Sequence, residues 1–373
     1  MNSSFRKILL GSMSLILLLV MQNCARWSGH VLTQEITEVE LAAAVQCGIS
    51  AEALRDLNAK PMYRFSEIEI DRYLGYLQLV EPDLRRRIGH LATKFIGQPY
   101  QIYLLGEFPF ELYDPQPLYS IGKSDCVVFS EHVYAMALAH DWTSFMKILQ
   151  RIRYKDGNVG VLNRNHYTEY DWDRNNDWLV EDITGTLAGD ETVLDTMIVD
   201  KARFFRKWNI GQDIPVDTLV WDYLPYRELP LILDSLKTGD FVNIVRGQGK
   251  GRWVGHVGLI HVDASGMVNF LHSIPPKVKK QPIMELVLEA EKYNRERAAF
   301  NAKIGLKNEV IRRYNEKQER LGRTKRKAML ASKPYFYGFR FLRLREDPLA
   351  ELRKTDGEGA PKVNLPFSAW PPE

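Results

Sequence analysis

Ser124-Asp125-Cys126, followed without a break by VVFSEHVYAMALA (127–139), sets a cysteine where a loop gives way to a helix. The residues from Pro99 to Ser124 are rich in Pro, Tyr and Gly and read as loop, whereas 127–139 has strongly helical composition. A cysteine in the first turn has backbone N–H groups and the positive end of the helix dipole beside it, and both favour thiolate over thiol. Cys126 is therefore a candidate nucleophile, and the same N–H groups are candidates to hold the oxyanion of a tetrahedral intermediate. A lone cysteine at a helix start is more often structural than catalytic, so the reading turns on whether the chain also supplies a base and a group to orient it.

Three strand-like runs follow: Asp240-Phe241-Val242-Asn243-Ile244-Val245, then His256-Val257-Gly258-Leu259-Ile260-His261-Val262, then Val268-Asn269-Phe270-Leu271-His272. The last two are separated by Asp263-Ala264-Ser265-Gly266-Met267, a hairpin connection containing glycine. His256 and His272, 16 residues apart across that hairpin, can meet across neighbouring strands and serve as base and orienting partner. His261 is an odd number of residues from His256 and points to the opposite face of a regular strand, which makes it the weaker partner. One Cys and two His could instead bind zinc, but no close C-x-x-C or H-E-x-x-H pair accompanies them.

Further out, Arg6 and Lys7 precede an apolar stretch of 14 residues, Ile8 to Met21, broken only by Gly11, Ser12 and Ser14 and followed by Gln22-Asn23-Cys24. That stretch is shorter than the roughly 20 residues a spanning helix needs, so residues 1–24 read as a signal peptide and the mature chain as exported. Cys24 occupies the place of the acylated cysteine of a bacterial lipoprotein, which would give membrane attachment. Gln22-Asn23 matches poorly the small residues preferred there, and cleavage near Ala25 or an uncleaved anchor are the alternatives. Residues 25–95 read as a helical lead-in, with Ser66 as an N-cap and a pause at Glu81-Pro82. Cys47, among alanines, reads as a small buried residue. Between about 150 and 235 short strands and loops mix with many Asn, Asp and aromatic residues, suiting a surface that binds something polar. Residues 284–333 are charged and helical: 13 Lys+Arg against 7 Asp+Glu lie between Glu285 and Lys327. Leu286, Tyr293, Phe300, Tyr314 and Leu321 share one seven-residue register there. With Gly305 and Lys307 interrupting it, the pattern predicts a helical hairpin or bent helix whose basic face is solvated or meets an anionic polymer or lipid head groups. A closing strand at 337–344 and an irregular tail from 351 to 373 complete the chain. The whole sequence of 373 residues carries 50 Lys+Arg and 47 Asp+Glu, a net charge of +3, too balanced for a dedicated nucleic-acid binder, and its three cysteines cannot form a disulfide framework.

Asp125-Cys126-Val127-Val128-Phe129-Ser130-Glu131 on a helix, Gly239-Asp240-Phe241-Val242 on a strand, Gly255-His256-Val257-Gly258-Leu259-Ile260 and Leu271-His272-Ser273 together resemble the NlpC-type, papain-like cell-wall hydrolases. The longer spacing and Asn165-His166-Tyr167-Thr168-Glu169-Tyr170-Asp171-Trp172 are similar to one branch, the N-acetylmuramoyl-L-alanine amidase-like family long described as a domain of unknown function. The resemblance implies an α+β fold in which a nucleophile helix packs on an antiparallel sheet bearing both histidines. The amidase domain would be 96–283 plus 334–350, with 25–95 as lead-in and 284–333 as insertion. It implies Cys126 as nucleophile, His256 as general base and acid, His272 as the group orienting His256, and Tyr103, Asn165 and His166 as substrate contacts. It implies hydrolysis of the amide between N-acetylmuramic acid and L-alanine in peptidoglycan fragments, without metal or other cofactor. Val128, Ser130 and Ser273-Ile274 depart from the branch's usual residues. The alternatives are a D,L-endopeptidase on the stem peptide, a membrane-tethered wall-binding protein using the basic insertion, and acyl or lipid chemistry on a related Cys/His fold.

Overall fold

The computed structural model describes residues 36–249 and 251–356. The expected signal region, Cys24 and the tail beyond 356 lie outside the described residues. Side-chain caps set the first four helices. Thr37 and Glu40 form a capping box at α1 (Glu38–Gln46), Ser50 caps α2 (Ala51–Ala59), Ser66 and Glu69 form a second box at α3 (Glu67–Val80), and Asp83 caps α4 (Leu84–Lys94). The pause at Glu81-Pro82 is the break between α3 and α4. Next come α5 (Cys126–Leu138) and α6 (Trp142–Arg153). Helix α5 is apolar nearly all round and is buried at every position from Val128 to Leu138, which makes it the central helix of the domain.

The eight strands among the described residues form one antiparallel sheet: β1 (Val180–Asp182), β2 (Val193–Val199), β3 (Asp217–Pro225), β4 (Phe241–Gln248), β5 (Gly251–Val262), β6 (Val268–Ile274), β7 (Lys277–Pro282) and β8 (Tyr335–Leu344). Their order is β2-β3-β8-β4-β5-β6-β7, with β1 pairing with β8 as well. The closing strand β8 thus lies inside the sheet, and residues far apart in sequence complete it. Alternation gives the sheet two apolar faces. Phe241, Val257, Leu259, Leu271 and Leu342 share a core with α5 and with the lead-in residues Leu54, Leu74 and Leu91. Val242, Ile244, Ile260, Phe270 and Phe339 pack on the other side against Leu229, Ile232, Leu286 and Ala290.

The insertion corrects the expected hairpin or bent helix. It is one helix, α7 (Glu285–Arg320), 36 residues long, and Gly305 lies within it. The chain returns along it as an extended segment, 323–334, that is neither helix nor strand. Its partners are side chains. The amides of Asn294, Asn301, Asn308 and Asn315 each donate to the carbonyl and accept from the N–H of one residue, Phe336, Lys333, Leu330 and Lys327 in turn, all at 2.7–2.9 Å. Seven helical residues rise about 10.5 Å, and three extended residues span about 10 Å, so the two repeats stay in step. Lys333 lies over the ring of Phe300 at 4.2 Å and Lys327 over Tyr314 at 4.5 Å. Two of the three heptad rings noted in the sequence thus meet cations of the return segment, and the third, Tyr293, meets Arg246 and Arg297. The tail also differs from expectation at its start, since Pro348–Asp356 form a helix.

Candidate active site

Asp125 caps α5 by accepting from the N–H groups of Val127 and Val128 at 3.0 and 2.9 Å. Cys126 is therefore the first helical residue, as its sequence position predicts. The helix start is lashed to the sheet by Ser124. Its Oγ lies 2.6 Å from Gln98 Oε1 and 3.0 Å from Ser273 Oγ, and Ser273 Oγ donates to the Ser124 carbonyl at 2.9 Å. Ser273 directly follows His272, so these bonds bring the cysteine to the histidine strands. The ladder between β5 and β6 runs only from Leu259↔Leu271 to Val262↔Val268. Where it opens, the backbone N–H of Val257 turns to the Cys126 sulfur.

The electrostatics correct two expectations. The thiol is pushed up to about 12, not down, because burial and the neighbouring Asp125 carboxylate outweigh the N–H groups of Val257, Val127 and Cys126. The N–H groups of Val127 and Val128 are engaged in the cap, and those of Val127 and Cys126 face the sulfur, so all three are already engaged in the resting site.

His256 and His272 share one sheet face with Phe270. They are diagonal neighbours, not directly opposite, and His256 Nε2 lies 2.7 Å from His272 Nδ1. Gly258 makes the packing beneath them fit, since Phe270 lies against its Cα and packs at a tilt against His272 with ring centres 4.5 Å apart. His256 is held well below the usual imidazole range by burial, then by His272, Arg246 and Lys279. Burial and Lys279 hold His272 down at about 3. Both rings are neutral at pH 7, and His256 remains half-buried while His272 is enclosed.

The remaining expected residues divide. Tyr103 is 83% exposed on a backbone with φ 59°, and it neighbours Tyr100, whose hydroxyl burial pushes up, with Cys126, Asp125 and Tyr103 adding to the rise. Tyr100 is a site residue the sequence did not single out, because nothing distinguishes it there from the other tyrosines of the loop. Asn165 and His166 have their polar atoms engaged within their own segment. Asn165 donates to the Ile152 carbonyl at 2.8 Å and accepts from Asn175 at 2.7 Å. His166 meets the Val161 carbonyl at 2.7 Å, and its ring packs among Phe204, Phe205 and Trp208. These are the bonds of loop fasteners. Asn163, Tyr170, Arg174, Lys201 and Asp217 line a polar cleft of about 620 Å³ beside that loop. His261 packs against Gly89 and Thr238, away from the histidine pair.

A family model described as AmiA-like, N-acetylmuramoyl-L-alanine amidase-like, matches residues 90–291. Among solved structures, a Legionella pneumophila protein of the family DUF1460 is similar at 18% identity, over 74% of this chain and 94% of that one, with a TM-score of 0.58. An N-acetylmuramoyl-L-alanine amidase from Bacteroides uniformis is similar at 20% identity, over 70% of this chain and 99% of that one, with a TM-score of 0.48. No curated protein matches the chain.

Proposed function

The chain belongs to the N-acetylmuramoyl-L-alanine amidase-like family, and from that premise we propose that it is an exported cysteine amidase that cleaves the amide between N-acetylmuramic acid and L-alanine in peptidoglycan fragments. The observation that supports the reading is that the helix-start cysteine is tied to the two histidine strands, its sulfur facing the N–H of Val257, next to His256, and Ser124 bonded to Ser273, next to His272, while the two histidines are hydrogen-bonded to each other. The Cys126 sulfur attacks the lactyl carbonyl as His256 takes the thiol proton, and the Cys126 N–H, which faces the sulfur at rest, turns to the oxyanion. His256 then gives that proton to the departing L-alanine amine. Water, deprotonated by His256, hydrolyses the thioester and frees the thiol. His272 orients His256 throughout. Tyr100, which lies within electrostatic reach of the thiol, and exposed Tyr103 beside it are the proposed substrate contacts. Export is supported by the basic residues and apolar run at 6–21.

The test is incubation of the protein, beside Cys126→Ala, with reduced and anhydro muropeptides, followed by chromatography and mass spectrometry. Free stem peptide with an L-alanine amino terminus, formed by the wild type alone, is the expected product. Cleavage farther along the stem by the wild type would move the bond to an endopeptidase site. Muropeptides left intact by both proteins would overturn the amidase reading.

A further inference from the structure

One hydrogen bond joins the two imidazoles, His256 Nε2 to His272 Nδ1 at 2.7 Å, and one bond holds one proton. The donor is decided farther out. His272 Nε2 faces Gln281 Oε1 at 3.4 Å, and Gln281 Nε2 faces Glu289 Oε1 at 3.4 Å. Gln281 is buried on β7, opposite Phe270 and on the same sheet face as the histidines. Glu289 lies on α7, so the outermost member of the chain of bonds comes from the insertion.

An ionised carboxylate only accepts hydrogen bonds. Glu289 therefore draws the NH2 of Gln281 and turns its carbonyl oxygen to His272. A carbonyl oxygen also only accepts, so the proton of neutral His272 sits on Nε2 and its Nδ1 is a bare lone pair. The shared bond must then be donated by His256 Nε2–H. A neutral imidazole carries one N–H, which leaves His256 Nδ1 as a lone pair, and it makes no hydrogen bond among the described residues.

We propose that Gln281, oriented by Glu289 of the insertion helix, is a positioning residue that fixes both histidine tautomers and leaves His256 Nδ1 as the atom that accepts the Cys126 proton. The inference deepens the amidase reading and rests on it only in naming Cys126 as the group served. The tautomers belong to the resting protein. The insertion, on this account, is part of the site as well as a surface arm.

The experiment is two-dimensional NMR of the full chain labelled with 15N-histidine, at pH 7.5, with assignments from His256→Gln and His272→Gln. The expected wild-type result is Nε2–H on both rings. Gln281→Met, close in volume but unable to accept, is expected to mix the two tautomers of each ring. It should also lower kcat on muropeptides about five- to tenfold, the loss of one buried hydrogen bond, with KM within twofold. Glu289→Gln, at an exposed position, lets the Gln281 amide turn over and should cost about two- to threefold. The exchanged pair Gln281→Glu with Glu289→Gln restores an acceptor toward His272 and should recover both the Nε2–H tautomers and kcat. A wild-type His272 carrying its proton on Nδ1, or tautomers unchanged in Gln281→Met, would overturn the inference. Expected tautomers in a wild type that cleaves no muropeptide would leave the inference standing and remove the amidase reading instead.

Discussion

Replacing Gly258 by alanine places a methyl group under the histidine pair, where the structure has no room for one. Its Cβ would lie 2.5 Å from the Leu271 carbonyl oxygen and 2.6 and 2.7 Å from Cε2 and Cζ of Phe270. Neither neighbour yields cheaply. Leu271 is paired with Leu259 in the ladder, and Phe270 is fully buried with its ring against His272. Either β6 moves outward or the ring rotates, and both movements carry His272 with them. Overpacking of this kind costs about 1–3 kcal/mol, and a contact with backbone belongs at the upper end. With unfolding entropy of roughly 2 cal/mol/K per residue over the 320 described residues, about 3 kcal/mol lowers Tm by about 5 °C. Thermal unfolding followed by circular dichroism measures this, with Gly122→Ala as control, because a Cβ at Gly122 meets nothing within 4 Å. The variant should also lose at least tenfold in kcat while the control keeps its activity. A Gly258→Ala protein that melts within 1 °C of the wild type, with undisturbed His256 and His272 signals, would refute the packing argument.

Gly305 lies inside α7 at ordinary helical φ, and a Cβ there meets nothing within 4 Å, so Gly305→Ala should stabilise the helix by about 1 kcal/mol, seen as slower amide exchange around 301–309. Asn308→Ala removes both bonds to Leu330; at this exposed site the loss is about 1–2 kcal/mol, expected as faster exchange of the Leu330 amide with global Tm unchanged. Burial and Asp125 hold the Cys126 thiol protonated, so its alkylation by iodoacetamide should keep rising with pH past 9 without a plateau. Asp125→Asn keeps a capping oxygen and removes the negative charge, which lowers the thiol pKa, and should speed that alkylation at pH 8. His256 is held well below the usual imidazole range, so it stays neutral, and on the proposed mechanism competent as base, at pH 5.5, where a free histidine is mostly protonated. The kcat/KM profile should therefore show no acid limb near 6.5.

Much of the site was legible because it rests on local rules. The change from a Pro-, Tyr- and Gly-rich loop to helical composition placed Cys126 at the helix start, and period-two alternation set His261 on the face opposite His256. The tilt of the pair, diagonal and not opposite, depends on where the β5–β6 ladder ends, and that is set by Ser124 and Ser273, 149 residues apart. Tyr100 and Gln281 were invisible for the same reason: each is defined by what another part of the chain brings beside it. The thiol pKa was misjudged because the dipole and N–H groups of a helix start can be read locally, while burial cannot. Asp125, which the structure shows to be the cap, was not weighed as a charge. In the insertion, the heptad rings were visible, but the asparagine directly after each of Tyr293, Phe300 and Tyr314, and after Lys307, was the stronger signal. Such an asparagine repeat has meaning only once an extended partner lies alongside, and side-chain pairing of that kind has no hydrophobic period of its own.

The neutral state of the pair bears on how the proposed chemistry proceeds. With the thiol pushed up to about 12 and His256 held low, a resting thiolate–imidazolium pair would put two charges where burial, Asp125, Arg246 and Lys279 all oppose them. The proton therefore stays on sulfur until the sulfur begins to bond to carbon. In that step negative charge passes from the sulfur beside Asp125 to the carbonyl oxygen. The imidazolium that forms is relieved as soon as it protonates the leaving amine. Asp125 thus raises the energy of the thiolate more than that of the oxyanion, and a group that disfavours the resting ion pair favours direct passage to the tetrahedral intermediate. On this argument Asp125→Asn should react faster with iodoacetamide yet gain nothing in kcat, because alkylation needs the thiolate while acyl transfer needs charge moved off sulfur. A parallel rise in both rates would show instead that the thiolate is the species that attacks.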